Sequence, residues 1–161
     1  TLREFYKDTR YINQIKQITE ENNEISLRIL DWFITNYSKK KRTVINDSDN
    51  IIDIYLDYKL QLRSFSKTLF DPFSRKNKIA FYYNDIDFIN TSCGQLCFFK
   101  WCFEKKILDY VRDNFKMIET DMKNSIKEKK SKIINGKRQP LSQSYSRSLS
   151  KIDNKYTYKF N

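Results

Sequence analysis

An aromatic residue, a serine and a cation follow one another four times in this 161-residue chain, as Tyr37-Ser38-Lys39, Phe65-Ser66-Lys67, Phe73-Ser74-Arg75 and Tyr145-Ser146-Arg147. Such a triplet suits a phosphodiester: the hydroxyl donates to a phosphate oxygen, the cation neutralises its charge, and the ring stacks on a base or ribose. Two copies adjoin longer basic runs. Lys39, Lys40, Lys41 and Arg42 continue the first, and Arg75, Lys76 and Lys78 continue the third, while Lys137, Arg138 and Arg147 stand far along the chain. The competing account is that the first three aromatics complete apolar helix faces or flank turns and so belong to the core.

Composition removes most other chemistry. Without a single histidine, Ser-His-Asp and Cys-His catalysis, histidine zinc sites and imidazole proton shuttles are all excluded. The two glycines, Gly94 and Gly136, lie too far apart for a phosphate-cradling loop or a dinucleotide fingerprint. Cys93, Cys97 and Cys102 have no fourth cysteine with which to close a zinc site. They read instead as reduced thiols buried in a helix, in a reducing compartment. Carboxylates leave one enzymatic route, because Asp53 and Asp57 sit four apart on an expected helix and Asp85 and Asp87 follow an expected strand. A divalent-metal nuclease is conceivable there. No third ligand or catalytic lysine can be singled out, so no catalytic residue, cofactor or metal is expected.

Charge carries more information by position than in total. Lys and Arg exceed Asp and Glu by 31 to 20, a net +11. Part of this reflects AT-rich codons, since Ile, Lys, Asn and Tyr are abundant and alanine occurs once, at Ala80. Residues 36–80 nevertheless hold ten cations against five carboxylates, and residues 121–161 eleven against three, whereas residues 1–35 and 81–120 each hold five against six. Two basic blocks between near-neutral apolar segments read as surface patches on a folded body.

The elements that must position these groups are mainly helical. From Leu2 on, Phe5, Ile12, Ile15 and Ile18 predict one N-terminal helix, and Ile25, Ile29, Leu30, Trp32, Phe33, Ile34 and Tyr37 a second, started by Asn22 or Asn23. Residues 43–46 and 79–83 alternate like strands and are expected to pair as a small ribbon, which would bring the two basic runs to one end of it. Residues 51–65 predict a third helix, with Ile52 and Ile54 also compatible with strand. From Thr91 or Ser92, the latter forming a capping box with Gln95, a single long helix is expected through about Ile126, with Phe98 and Trp101 off its buried stripe and exposed. The fold expected is therefore mainly α: a small single domain of about four helices over residues 1–130, a minor two-stranded β element, and a basic Ser- and Lys-rich C-terminal extension over residues 131–161.

The strings ISLRILDWFITNYSKK, IYLDYKLQLRSFSKTLFDPFSRK and TSCGQLCFFKW resemble an uncharacterised conserved protein family of nucleocytoplasmic large DNA viruses, the mimivirus-like giant viruses in particular. The resemblance covers roughly residues 25–120, and its most specific pieces are Phe70-Asp71-Pro72-Phe73 and Gly94-Gln95-Leu96 with Phe98, Phe99 and Trp101. The family more often carries Cys at the position of Ser74 and Asn at that of Cys97, so neither position is given a role. The resemblance implies a viral setting, the host cytoplasm with its viral factory or the virion, and no activity.

The function expected is a non-enzymatic basic viral protein that binds nucleic acid mainly through phosphate contacts, in genome packaging, nucleoid organisation or transcription. DNA with little sequence readout is the first partner, since Gln61, Arg63 and Gln95 are too few to read bases. The candidate contacts are Ser38, Lys39, Lys40, Lys41, Arg42, Ser66, Lys67, Arg75, Lys76, Lys78, Lys137, Arg138 and Arg147. The alternative is a minor virion or accessory structural subunit that binds other viral proteins through its long helix and tail. No apolar run approaches the ~18 residues of a membrane span and no signal-peptide core opens the chain, so a soluble intracellular protein with no membrane partner is expected.

Overall fold

The computed structural model describes residues 1–19, 24–47, 50–65, 69–75 and 77–131. The chain divides into two units, Thr1–Asn124 and Ser125–Asn161; the described part of the second is helical to Ser131. Among the described residues the architecture is mainly α with two separate two-stranded sheets.

The N-terminal apolar stripe belongs to two helices rather than one, α1 (Leu2–Phe5) and α2 (Thr9–Thr19). Asp8 breaks the run: its Oδ1 accepts from the Arg10 amide at 3.1 Å and its carboxylate pairs with the Arg10 guanidinium, which starts a new helix. Ile12, Ile15 and Ile18 of α2 are buried, whereas Phe5 turns away to stack on Tyr11, ring centroids 4.4 Å apart.

Helix α3 (Leu27–Trp32) is capped by Ser26, whose Oγ accepts from the Ile29 amide, rather than by Asn22 or Asn23, which lie outside the described residues. It continues through a π-helical stretch, Phe33–Tyr37, into α4 (Ser38–Lys41). Two hydroxyls accompany the wider turn: Thr35 Oγ1 donates to the Asp31 carbonyl at 2.7 Å and Ser38 Oγ to the Ile34 carbonyl at 2.6 Å. Phe33, Ile34 and Tyr37 of this stretch are all buried.

The expected ribbon between residues 43–46 and 79–83 does not form. Each segment instead closes a local hairpin. Strand β1 (Val44–Asp47) pairs antiparallel with β2 (Asn50–Asp53), and β3 (Lys78–Tyr82) with β4 (Phe88–Ser92). Short loops close at far smaller entropic cost than the thirty-odd residues separating the two expected partners. The second turn is further fixed by Asn84 Oδ1, which accepts from the amides of Ile86 and Asp87.

Asp53 ends β2 and caps α5 (Ile54–Ser64), its Oδ1 accepting from the Leu56 amide at 2.9 Å, so the expected helix loses its first three residues to strand. Strand β4 runs straight into α6 (Cys93–Glu104), where Ser92 Oγ accepts from the Gln95 amide as its spacing predicts. The single long helix expected from here is three: α6, α7 (Ile107–Asp113) and α8 (Phe115–Ser131). Lys106, at φ 53, turns the chain between the first two. A straight helix of that length would extend about 50 Å, too far for one face to stay against the core of a 124-residue unit.

The core joins Ile12 and Ile15 of α2, Leu30 and Phe33, Leu96, Phe98 and Phe99 of α6, Ile107 and Val111 of α7, and Ile118 of α8. Phe98 and Trp101, expected at the surface, are 1% and 4% exposed. The Phe70-Asp71-Pro72-Phe73 loop and α5 cover them. Phe70 meets both rings edge-on at 5.5 and 5.6 Å, and Tyr58 lies 6.0 Å from Trp101. The loop is held by the Asp71 amide donating to the Gly94 carbonyl and by buried Gln95, whose Nε2 donates to the Pro72 carbonyl while its Oε1 accepts from Thr91. Buried Gly94, with no Cβ, permits that close backbone approach.

Candidate nucleic-acid interface

The first basic run closes the helical column that starts at α3. Lys39, Lys40 and Lys41 occupy the last turn of α4, where the carbonyl end of a helix favours cations, and Arg42 leaves it in the left-handed region at φ 48. All four are exposed. Lys39 Nζ lies 5.5 Å from the centroid of the Tyr55 ring, and Lys59 Nζ lies 5.8 Å from the same ring. Tyr55 thus gathers a cation from α5, Lys59, beside the α4 run, a residue absent from the candidate contacts above. Its only sequence signal is the four-residue step from Tyr55 to Lys59 along one helix face.

Lys40 is tied more firmly. Its Nζ pairs with Asp121 Oδ1 on α8 at 2.8 Å, and Asp121 Oδ2 accepts from the Trp32 indole at 3.1 Å. Desolvation pushes the Asp121 carboxyl up, but the hydrogen bonds from Lys40 and Trp32, with the charges of Lys40 and Lys41, outweigh it and hold the group below its ordinary value. Phosphate contact by Lys40 therefore competes with an existing ion pair.

Ser38 is not available to a phosphate. It is fully buried, and its hydroxyl is engaged by the Ile34 carbonyl; Tyr37 beside it is buried too, so the first triplet contributes its lysine alone. In the third triplet Ser74 is buried with its hydroxyl unpartnered among the described residues, and Arg75 is exposed with its guanidinium 4.7 Å from the Phe73 ring. Lys78 is exposed at the start of β3. Ser66, Lys67, Lys76, Lys137, Arg138 and Arg147, and the whole fourth triplet, lie outside the described residues.

The two described basic runs have different surroundings. Arg75 acts on Asp31, which burial pushes up, Arg75 pulls down and Asp71 pushes up again. Asp31 lies eight residues before Lys39 on the helical column, about 12 Å at the helical rise. Base readers thin out further, because both ends of the Gln95 amide are used inside the core. The four carboxylates considered for a metal have separate occupations. Asp53 caps α5, Asp57 accepts from Trp101 Nε1, Asp87 accepts from Asn84 Nδ2, and Asp85 is an exposed turn residue. Among the described residues no group of three His, Cys, Asp or Glu side chains is placed to hold a metal ion. Among them, too, no helix is long and apolar enough to cross a membrane.

Residues 1–158 match a family of unknown function, DUF7197. The match reaches well beyond the 25–120 expected from the shared strings and takes in the N-terminal helices and most of the basic tail. The chain is also 40% identical over 156 residues to an uncharacterized protein of Acanthamoeba polyphaga mimivirus, an alignment covering 91% of this chain and 60% of that relative. No solved structure matches.

Proposed function

Since the chain belongs to the family DUF7197 and is 40% identical to an uncharacterized mimivirus protein, we propose that it is a non-enzymatic nucleic-acid-binding protein acting through phosphate contacts. One observation carries this reading: Lys39, Lys41 and Arg42 project from a single exposed helix end, and Tyr55 brings Lys59 beside Lys39. Cations so grouped follow a phosphate backbone without reading sequence, releasing counterions as they bind. The occupied amide of Gln95 agrees with low sequence readout. DNA is the first partner, and a role in packaging, nucleoid organisation or transcription in a viral factory or virion fits such binding.

The test is double-stranded DNA affinity across a salt series, with an unrelated duplex of equal length as comparison. Binding of both duplexes with similar affinity, falling steeply with salt, is the expected result. Absence of binding at about 50 mM salt overturns the proposal.

A further inference from the structure

The β1–β2 hairpin and α5 share an apolar surface that the phosphate reading does not use. In the β1–β2 register Val44 stands opposite Asp53 and Asn46 opposite Ile51, which places Val44 and Ile51 on one face while buried Ile45 occupies the other. Asp53 connects that face to the helix by accepting from the Leu56 amide. Leu56 and Leu60 follow one turn apart along α5. Ile51 is 77% exposed, Leu56 60%, Leu60 55% and Val44 47%. Single exposed leucines are ordinary, but four large aliphatic residues on adjoining elements form a patch of the kind that marks an interaction site.

The charges around it select the partner. Lys39 and Lys59 flank the Tyr55 ring, immediately before Leu56, and exposed Arg63 stands three residues after Leu60. The nearby carboxylates are committed within the fold, Asp53 to the α5 cap and Asp57 to Trp101. A second copy docking through the same patch would bring two cation-flanked surfaces together, so self-association is disfavoured. Two leucines one turn apart make a narrow ridge, the width that fits between side chains of another helix rather than a broad lipid face.

The geometry points to a docking surface for an amphipathic helix of a partner protein, with leucine-type residues seated on Val44, Ile51, Leu56 and Leu60 and aspartates or glutamates on its flanks meeting Lys39, Lys59 and Arg63. This goes beyond the phosphate reading and does not depend on it. It makes acidic protein and nucleic acid competitors for Lys39 and Lys59.

The probe is a fluorescent helical peptide of about 20 residues with leucines at heptad a and d positions and glutamates beside them, with a lysine-flanked twin, each titrated into the full chain. Saturable binding of the acidic peptide is expected, at least ~10-fold tighter than its twin, and weakened at least ~10-fold by Leu56→Ser with Leu60→Ser. Lys59→Glu should weaken it several-fold, while the leucine variants keep any DNA affinity. Both leucines are at the surface, and a thermal melt of the variant confirms that it folds. Equal affinity for both peptides, no saturable binding, or binding untouched by the leucine changes overturns the proposal. So does leucine-dependent dimerisation in sedimentation, or leucine-dependent capture by phosphatidylcholine–phosphatidylserine vesicles, since each assigns the patch to another occupant.

Discussion

The Trp101 indole donates to Asp57 Oδ2 at 2.7 Å, joining α6 to α5 across 44 residues of chain. This contact decides the roles of both residues. Asp57 serves a structural bond rather than a metal, and Trp101 packs with Phe98, Phe70 and Tyr58 rather than offering a ring to a partner. It also fixes α5 in the orientation that leaves Leu56 and Leu60 outward.

Removing that bond while keeping the ring should loosen α5. Trp101→Phe leaves a part-buried carboxylate without its donor, and a hydrogen bond to a charged group contributes about 1.5–3 kcal/mol. Urea denaturation should show a loss in that range, with hydrogen exchange rising first in α5. A loss confined to the last turn of α6 would show that the bond does not hold α5.

Ser74 presents the opposite case, a position where the native residue costs stability. Its φ of 48 is unfavourable for a side chain bearing a Cβ, and its hydroxyl is buried without a partner among the described residues. Ser74→Ala should raise stability by about 1 kcal/mol by removing the unsatisfied hydroxyl. Ser74→Gly relieves the backbone as well, against the greater entropy lost by glycine on folding. Chemical denaturation of the two variants separates the terms.

Two carboxyls should bend the pH dependence of stability in opposite directions. Burial raises Asp31, with Asp71 adding to it and Arg75 opposing. Asp31 therefore favours the protonated folded state, and its charge costs stability as pH rises from the ordinary carboxylate value through the raised one. Asp121 is held below its ordinary value, so its contribution is present above the ordinary range and disappears as pH falls through the depressed one. Asp31→Asn should match the parent near pH 3 and exceed it near pH 7, and Asp121→Asn should match it in acid and fall below it at neutrality. Urea midpoints across that range check both signs.

The three thiols offer a simple probe of α6. Cys93 is exposed, Cys97 is half-buried, and Cys102 is fully buried. Burial raises Cys97, with Cys93 adding and Lys100 opposing, and burial alone raises Cys102 far more. Alkylation of the native chain should proceed in the order Cys93, Cys97, Cys102, the last only on unfolding. Rapid native labelling of Cys102 would mean that α6 is not packed as described.

Local rules explain what was readable in the chain. Ser92 lies three residues before Gln95 and caps α6 as its spacing requires, and the apolar steps through Leu96, Phe99, Ile107 and Ile118 identify buried faces. They do not show that Lys106 turns the chain, because the same apolar periodicity continues on both sides of it. Ser38 reads as a surface hydroxyl because it adjoins a run of cations, yet it is fully buried and its hydroxyl donates to the Ile34 carbonyl four residues back. Phe98 and Trp101 read as exposed because the elements covering them, α5 and the Phe70 loop, are long-range partners that α6 periodicity cannot reveal. The pairing of Lys39 with Lys59 around Tyr55 is tertiary in the same way.

The basic helix end makes the most quantitative prediction. Each phosphate contact contributes about −0.9 to the slope of log affinity against log salt. Changing Lys39, Lys41 and Arg42 together to Ala should thus make the slope shallower by about 2 to 3, similarly for unrelated sequences. Lys40→Ala should change it less, since Asp121 already holds that ammonium. Ser38→Ala should leave it unchanged, because the hydroxyl faces the Ile34 carbonyl inside the helix. Fluorescence anisotropy on a labelled duplex at several salt concentrations measures all four slopes. An unchanged slope in the triple variant would move the nucleic-acid contacts away from α4, and a Ser38→Ala change as large as that of Lys40→Ala would contradict the buried placement of that serine.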